Sequence, residues 1–301
     1  MNRFSCFYRL VKPTVVSSSI RDGRILKPYH TVPSAALDEE LKHINALSDD
    51  DESGSESFNF SLVKTNVVRG CLSDNYWVNK EASNIQILGS GMILLKNFVS
   101  FIGQVDMVNI CQDFCVPGAF KVPTNRYGCK LRVHMMSLGR NWDPGTGYTN
   151  PCRRDGSEPP RLPFGFVRLA QTAIESAQDH FDDDHHLPSM TPDTCIVNFY
   201  TSGGRLGLHQ DCDESSDSLR RGLPVVSISI GDPAEFWYGH IRDEDKLSKI
   251  LLESGDVLIF GGKSRLIFHG INKIDLGRAP EPLRHATMMR LGRLNLTLKQ
   301  V

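Results

Sequence analysis

The sequence predicts a mixed α+β fold, mainly β, with a double-stranded β-helix (jelly-roll) core and flanking helices. From residue 195 onward, six short runs are rich in β-branched and aromatic residues and are separated by Gly, Pro or Asp: CIVNFY, VVSISIG, AEFWYG, DVLIFGG, RLIFHGI and RLNLTL. Stretches with apolar residues at helical spacing come before them. Strands that follow helices in this way predict a jelly-roll or a barrel with helices packed on one side.

The N-terminal part of the chain differs in composition from the rest. Residues 1–30 hold six basic residues and one acidic residue, as transit peptides do, although a plain basic tail has the same composition. Residues 48–57, SDDDESGSES, are too charged to order themselves. We therefore expect a disordered or targeting extension over residues 1–58. One folded domain follows over residues 59–301, with the jelly-roll core at about 190–301.

Ahead of the strands, the pattern favours a broken strand over residues 87–98 and a helix over residues 99–114. Residues 166–181 give the clearest helix, and residues 244–252 are expected to form a short second one. The apolar face of the clearest helix is formed by Phe166, Leu169, Ala173, Ile174 and Ala177.

Charge and cysteine content restrict the class of protein. The net charge is −1, so any contact with nucleic acid must use a local patch. Residues 121–161 offer one, with eight Lys or Arg against three acidic residues, although a solvated loop face would look the same. Eight cysteines without CxxC pairs argue against a zinc ribbon and favour reduced thiols inside the cell. No run of 18 apolar residues occurs, so a membrane partner is not expected.

A His-x-Asp pair occurs twice, and only one occurrence has the surroundings of a site. His209 and Asp211 end a glycine-rich turn between two strand-like runs, which is a rigid mount. An imidazole and a carboxylate are two of the three ligands of the His-His-carboxylate face that holds Fe(II). The other pair, His180 and Asp182, closes a helical pattern and opens the polar run DDDHHLP, where we expect solvated side chains.

A third ligand must come from the histidines that follow Asp211. His269 is the best placed, because it ends a strand-like run that follows the hairpin DVLIFGG. His240 lies in a polar stretch and His285 lies among prolines and arginines, so we expect both to be exposed.

An Fe(II) face of this kind commonly draws electrons from a small dicarboxylate, which needs a buried cation. Arg293 in the last strand can grip a carboxylate bidentately, which a lysine cannot do. By the period of two, one face of this strand carries Arg293, Asn295, Thr297 and Lys299. A solvated outer face is the competing interpretation of this alternation.

These motifs resemble the AlkB family of Fe(II)/2-oxoglutarate-dependent dioxygenases from about residue 87 to the C-terminus. The family's Asn-x-Tyr strand appears at 198–200 and its His-x-Asp-x-Asp-Glu motif at 209–214. Its Gly-Asp strand with Gly-Gly turn and distal His appears at 255–270, and its Arg-x-Asn-Leu-Thr strand at 293–297.

The resemblance implies Fe(II) as cofactor, with 2-oxoglutarate and O2 as co-substrates. Its metal ligands would be His209, Asp211 and His269. Its 2-oxoglutarate contacts would be Asn198, Tyr200, Arg293, Asn295 and Lys299, with Arg293 on the distal carboxylate. The family carries a second arginine where this chain has Lys299, which keeps the charge but loses the planar fork, so placement of the co-substrate could differ.

The resemblance also implies an N-terminal nucleotide-recognition lid at about residues 120–160. In that lid, Trp142 would stack on a base and Tyr148 would lie near a phosphate. Asp213 and Glu214 would accept hydrogen bonds from the base. A core role for Trp142 stays open.

The implied activity is oxidative demethylation of N-methylated bases in DNA or RNA, releasing formaldehyde, succinate and CO2. The base would come from a single strand or be flipped out of a duplex, and the enzyme would be a monomer in the nucleus or cytoplasm, or in an organelle. N6-methyladenine, 1-methyladenine and 3-methylcytosine all lie within the family's range. Two alternatives stay open: a related dioxygenase acting on a protein side chain, and a non-catalytic binder of modified nucleic acid.

Overall fold

The computed structural model describes most of the chain beyond the N-terminal extension. The described residues are 60, 76–79, 84–115, 119–124, 129–153, 155–181 and 187–301. The expected extension over residues 1–58 lies outside them, so its disorder, its targeting role and its boundary stay predictions. Among the described helices, none is long and apolar enough to cross a membrane.

Eleven strands in the described part of the chain form two antiparallel sheets. The first sheet has seven strands in the order β1-β2-β9-β6-β11-β4-β3, and the second has four in the order β5-β10-β7-β8. In chain order the strands are β1 Ile85–Gly89, β2 Met92–Leu95, β3 His134–Leu138, β4 Thr194–Tyr200, β5 Leu206–His209, β6 Val225–Gly231, β7 Ala234–Gly239, β8 Ser248–Leu252, β9 Val257–Phe260, β10 Phe268–Ile274 and β11 Arg293–Lys299.

Helices are few in the same part of the chain. They are α1 Phe101–Asp113, α2 Phe164–Gln178, α3 Ser216–Arg220 and α4 Glu281–Thr287, with single 3-10 turns at Glu244–Lys246 and Gly262–Ser264. The start of α1 is set by Ser100, whose Oγ accepts a hydrogen bond from the Gly103 N–H at 3.0 Å. The expectation of a mainly β fold with a few helices is confirmed.

Alternation along the strands gives the larger sheet two different faces. On β11, Leu294, Leu296 and Leu298 are fully buried in a core that they share with α1 and α2. The intervening residues of β11 are polar and face the other side, where Arg293, Asn295 and Lys299 are buried and Thr297 is half-buried. On that side a second core joins the two sheets, with Leu258 from β9 and Phe236 from β7 among its members. Each fully buried leucine contributes about 1.5–3 kcal/mol.

Most of the predicted elements are confirmed. All six strand-like runs form strands, and the broken strand over residues 87–98 is the hairpin of β1 and β2, with Gly91 at φ 74° in its turn. The predicted apolar face of α2 is buried. Three strands (β3, β5 and β8) and the short helices α3 and α4 lack a sufficient local pattern, and sequence analysis missed them.

The predicted helix over residues 244–252 is wrong. Only Glu244–Lys246 forms one 3-10 turn, which the Asp243 side chain caps. Ser248–Leu252 is strand β8, which pairs with β7 from Leu252 opposite Ala234 to Ser248 opposite Tyr238. Pairing with a neighbouring strand overrides a weak local helix preference.

A β-bulge joins β5 to β10. His209 lies opposite His269 and Leu206 opposite Ile271, so three steps along β5 match two along β10. Regular pairing would put Leu206 and His209 on opposite faces, whereas the extra residue turns both inward. Gly270 makes the close approach possible, because a Cβ there would lie 2.6 Å from the Leu206 carbonyl oxygen.

Deletion of Gly207 tests this bulge. Removing one residue leaves Leu206 and His209 two steps apart in regular pairing, so His209 still faces inward, but its ring loses the Gly207 carbonyl oxygen that lies 2.9 Å from Nδ1 and orients it. The affinity for Mn(II), a redox-inert probe of the expected metal ligands, should then fall at least about tenfold while the far-UV circular dichroism spectrum is kept. Gly207→Ala is the matched control, since a Cβ there meets nothing within 4 Å. A deletion variant that binds Mn(II) as the parent does would contradict the role of the bulge.

Candidate active site

The three expected metal ligands lie together at one end of the smaller sheet. One ligand atom from each of His209, Asp211 and His269 lies within 4.8 Å of the other two. The two imidazole rings are 4.4 Å apart between centroids, and Asp211 Oδ1 is 3.8 Å from His209 Nε2. Cross-strand pairing of β5 with β10 places the two histidines opposite each other, and Asp211 follows shortly after the end of β5.

Backbone carbonyls orient both imidazoles. The Nδ1 atom of His209 lies 2.9 Å from the Gly207 oxygen, and that of His269 lies 3.2 Å from the Ile267 oxygen. A carbonyl oxygen can only accept, so each Nδ1 carries the proton and donates it. The Nε2 lone pairs are therefore left for a metal ion.

The electrostatics favour the protonation states that a metal requires. Burial, followed by the nearby His209, lowers the pKa of His269 to about 4, so this imidazole is neutral near pH 7. Burial opposes the charge on Asp211, but Lys299 and then the two histidines hold the pKa of this carboxyl below its usual range. Metal ligands must be deprotonated in this way.

The other candidate histidines are excluded by their positions. His180, His240 and His285 are exposed, as expected, and Asp182 lies outside the described residues. One detail of the prediction is wrong, because His269 is the second residue of β10 and does not end a strand. The residues before β10 form the 3-10 turn at Gly262–Ser264 and a further turn, in which the Ile267 N–H donates to the Ser264 oxygen.

Arg293 provides a buried cation with unused donors. It is 1% exposed, and its Nη2 donates to Ser229 Oγ at 2.9 Å. Its Nε and Nη1 have no hydrogen-bond partner among the described residues, and its guanidinium carbon lies 5.6 Å from the Tyr200 ring centroid. Burial lowers the pKa of Arg293 to about 10, which keeps the charge at neutral pH. Such an arrangement suits a carboxylate that takes both free donors.

The other residues expected to contact 2-oxoglutarate surround the same interior. Asn198 Nδ2 donates to Asn295 Oδ1 at 3.3 Å, and Asn295 Nδ2 donates to Ser227 Oγ at 2.8 Å. Asn198 Oδ1 is buried without a partner among the described residues. Tyr200 lies opposite Arg293 in the pairing of β4 with β11. The structure thus brings Asn198, Tyr200, Arg293 and Asn295 together on the inner face of one sheet.

Glu214 and Lys299 are placed differently from expectation. The Glu214 side chain has no exposed surface and lies 2.6 Å from Lys299 Nζ, so it does not face a base. Lys299 Nζ also lies 3.5 Å from Asp211 Oδ2, so it contacts the segment of residues 211–214 that follows β5 (the metal turn) and is not free for 2-oxoglutarate. The reason is burial: two carboxylates inside the protein need cations, and Lys299 at the end of β11, in the larger sheet, is a cation that reaches both.

The local sequence pattern did not predict a role for Arg265. This residue is 3% exposed and lies in the loop before β10. Its Nη1 donates to the Asp211 carbonyl oxygen at 2.6 Å, and its Nη2 lies 2.9 Å from Glu214 Oε2. A charged residue in the apolar run RLIF was the available signal, but alternation in a predicted strand gave no reason to bury it.

The loop after β3 reaches the metal turn at Asp213. Trp142 Nε1 donates to Asp213 Oδ2 at 2.8 Å, and a Cβ on Gly147, which has φ 59°, would lie 3.2 Å from Asp213 Cβ. Tyr148 packs its ring 5.7 Å from Lys299 Nζ, and burial raises the pKa of Tyr148 to about 12. Trp142 is half-buried and Asp213 is exposed, which suits contact with a ligand.

A groove with a volume of about 640 Å³ lies beside this loop. Trp142 lines it together with Asn141, Met135, Lys121 and Arg153. Because Trp142 also bonds Asp213, the groove and the metal turn share one aromatic side chain.

Comparison with known proteins identifies the family. A family model described as "2OG-Fe(II) oxygenase superfamily" matches residues 91–299, a range that contains the metal ligands and Arg293. The chain belongs to this superfamily. Its name states the cofactor and the co-substrate, and the residues fit both: two imidazoles and a carboxylate for Fe(II), and the buried guanidinium for a 2-oxoglutarate carboxylate.

The relatives place the chain among the AlkB-like members. "DNA N(6)-methyladenine demethylase ALKBH1D" of Arabidopsis thaliana is 48% identical over 257 residues, covering 80% of this chain and 58% of the relative. "DNA N(6)-methyladenine demethylase ALKBH1C" of the same plant is 49% identical over 225 residues, covering 71% of this chain and 49% of the relative. "Alpha-ketoglutarate-dependent dioxygenase AlkB" of Escherichia coli (strain K12) is 34% identical over 197 residues, covering 64% of this chain and 85% of that protein.

A solved structure supports the same placement. The structure of OsALKBH1 has a TM-score of 0.69 and 48% identity, and the match covers 72% of this chain and 100% of that chain. The AlkB resemblance is therefore confirmed. This chain spans less than two thirds of the length of the two Arabidopsis relatives.

Arg293→Met tests the anion site. The variant removes the donors while keeping an apolar side chain of similar length. Loss of a charged hydrogen-bonding partner costs about 1.5–3 kcal/mol, so the half-saturating 2-oxoglutarate concentration should rise about 10- to 150-fold. The rate of succinate formation, measured over a series of 2-oxoglutarate concentrations, gives this half-saturating concentration. Arg140→Met, in an exposed pair with Asp193, is the control. An unchanged requirement in Arg293→Met would remove this residue from the co-substrate site.

Proposed function

We propose that this chain is an Fe(II)- and 2-oxoglutarate-dependent dioxygenase that demethylates N-methylated bases in DNA or RNA. The products would be the unmodified base, formaldehyde, succinate and CO2. One observation carries the proposal: the His209, Asp211 and His269 ligand atoms lie within 4.8 Å of one another in a domain whose interior also holds Arg293 with two unused donors. The names of the Arabidopsis relatives make N6-methyladenine in DNA the first substrate to test.

The chain's own residues hold and orient the reactants. The imidazoles of His209 and His269 and the carboxylate of Asp211 would bind Fe(II), and the buried guanidinium of Arg293 would hold a 2-oxoglutarate carboxylate. Bound Fe(II) with 2-oxoglutarate supplies the oxygen activation that oxidises the N-methyl group. Asp213 would accept a hydrogen bond from the base, and Trp142 would stack on it. The base must leave a helical stack to reach this depth, which favours single-stranded or flipped nucleotides.

The finer architecture belongs to the same proposal. Two antiparallel sheets that share an apolar core support a jelly-roll at about 190–301. Contacts of Trp142 and Gly147 with Asp213 support a lid at about 120–160 that lies next to the metal turn. Tyr148 would serve this lid through its packing on Lys299 and not through a phosphate, because its hydroxyl is buried.

Exposed basic residues support nucleic acid as the substrate. Lys130, Arg132 and Arg205 are exposed, and the Arg205 N–H donates to the Arg132 carbonyl oxygen at 3.2 Å, so the two arginines are neighbours. Arg205 directly precedes β5, the strand that ends with His209. Exposed cations next to the strand that carries His209 suit a phosphate backbone, and we expect oligonucleotide binding to weaken as salt rises.

Demethylation of an oligonucleotide panel tests the function. Single-stranded oligonucleotides with N6-methyladenine, 1-methyladenine or 3-methylcytosine are incubated with protein, Fe(II), ascorbate and 2-oxoglutarate. Mass spectrometry should show loss of the methyl group from at least one base, with one formaldehyde per base restored. His209→Ala should lower the rate at least about 100-fold with the fold kept, because it removes a metal ligand.

Two results would contradict the proposed substrate. Demethylation of a methylated peptide, with every oligonucleotide left intact, would indicate a protein-directed dioxygenase. Absence of succinate with all substrates would indicate a non-catalytic binder.

Trp142→Ala tests the stacking role. Stacking of a base on an aromatic ring contributes about 1–3 kcal/mol, so oligonucleotide affinity should fall about 5- to 150-fold. Succinate formation without nucleic acid should stay near the parental rate. Trp142→Phe keeps a ring and loses only the hydrogen bond to Asp213, so most of the affinity should remain. Equal binding by Trp142→Ala would return Trp142 to a core role.

A further inference from the structure

A buried ionic cluster lies behind the metal turn. It consists of Glu214 in that turn, Arg265 in the loop before β10, and Lys299 at the end of β11. Their side chains are 0%, 4% and 6% exposed. Three separate segments of the chain therefore meet at charged groups that solvent does not reach.

Each carboxylate oxygen of Glu214 forms an ion pair in this cluster. Oε1 lies 2.6 Å from Lys299 Nζ, and Oε2 lies 2.9 Å from Arg265 Nη2. Glu214 thus bridges the two cations, and its buried position leaves it no route to a substrate in the groove.

The same two cations also hold Asp211. Arg265 Nη1 donates to the Asp211 carbonyl oxygen at 2.6 Å, and Lys299 Nζ lies 3.5 Å from Oδ2. The other oxygen, Oδ1, faces His209 Nε2 at 3.8 Å. The main-chain carbonyl and Oδ2 of Asp211 therefore face the two cations, and Oδ1 alone is directed toward the His209 imidazole.

Stability alone does not account for this cluster. Asp211 and Glu214 bring two negative charges and Arg265 and Lys299 bring two positive charges, so the group is neutral overall. Burying such charges costs several kcal/mol per ion, and an apolar replacement of the same shape is often as stable or more stable. A function for the charges explains their presence better than a contribution to folding.

We propose that Arg265 is a positioning residue that, together with Lys299, clamps the turn of residues 211–214 so that Asp211 presents only Oδ1 to the metal. Glu214 connects the two cations and does not contact the base. A lysine suffices at position 299 because the guanidinium of Arg265 already serves the Asp211 carbonyl and Glu214 Oε2. The inference rests on the proposed iron-dependent function.

Metal affinity of Arg265→Met tests the clamp. Mn(II) is titrated into metal-free full-length protein and followed by electron paramagnetic resonance, which needs no turnover. Loss of a group that orients a ligand lowers metal affinity about 10- to 100-fold, and we expect a loss in that range. Arg284→Met is the matched control, because Arg284 is a buried arginine in α4. We expect both variants to lose thermal stability, and only Arg265→Met to lose Mn(II) affinity.

A second variant separates positioning from a direct role in substrate binding. Glu214→Gln keeps the shape and removes the bridging charge, so it should also weaken Mn(II) binding. The double variant Glu214→Gln with Arg265→Met should lose less free energy of Mn(II) binding than the sum of the two single variants, because both residues act through one turn. Fully additive losses would overturn the clamp.

Three results distinguish the possible failures. Parental Mn(II) affinity in Arg265→Met would overturn the clamp and leave the proposed function standing. Weaker oligonucleotide binding by Glu214→Gln at unchanged Mn(II) affinity would overturn it too, and would assign Glu214 to the base. A parent protein that binds neither Mn(II) nor Fe(II) would overturn the proposed function itself.

Discussion

Alternation of side chains along β11 is the constraint on which the site depends. One face of this strand carries leucines that are fully buried against the helices, and this burial determines which way the strand faces. Arg293, Asn295 and Lys299 must then point into the space between the two sheets. A shift by one residue would expose the leucines to that space and remove every polar group of β11 from it. The apolar core on one side therefore determines the chemistry on the other.

Polar groups in that interior fall into two kinds. Some are satisfied within the protein, such as Asn295, which donates to Ser227 and to the Ile228 carbonyl oxygen. Others are left without a partner among the described residues, including two donors of Arg293 and Asn198 Oδ1. An unsatisfied buried polar group costs about 1–3 kcal/mol, so such groups indicate where a ligand completes the structure. The groups with partners inside the protein therefore form the scaffold of the site, and the groups without one form the surface that binds a ligand.

Sequence analysis predicted the metal ligands well because strong local patterns carry them. His209 and Asp211 share a turn, and His269 follows a recognisable hairpin. Arg293 was equally easy to predict because the period of two is clear in RLNLTL. Lys299 and Glu214 were assigned to the wrong neighbours, since their contacts depend on Arg265, which lies 51 positions from Glu214 in the chain. Long-range ion pairs leave no periodic signal, and the bulge that aims His209 is likewise visible only when β5 is paired with β10.

The metal ligand His209 and the co-substrate residue Arg293 lie on strands that are hydrogen-bonded to different numbers of neighbouring strands. Arg293 lies on β11, which has a strand on each side in the larger sheet, whereas His209 lies on β5, the edge strand of the smaller one. Edge strands open locally at a lower free-energy cost than central strands do. We therefore expect metal to enter and leave through local fraying of β5 while the anchor for the co-substrate stays in place. Loss of iron would then be a local event, and the emptied domain would take up metal again without refolding.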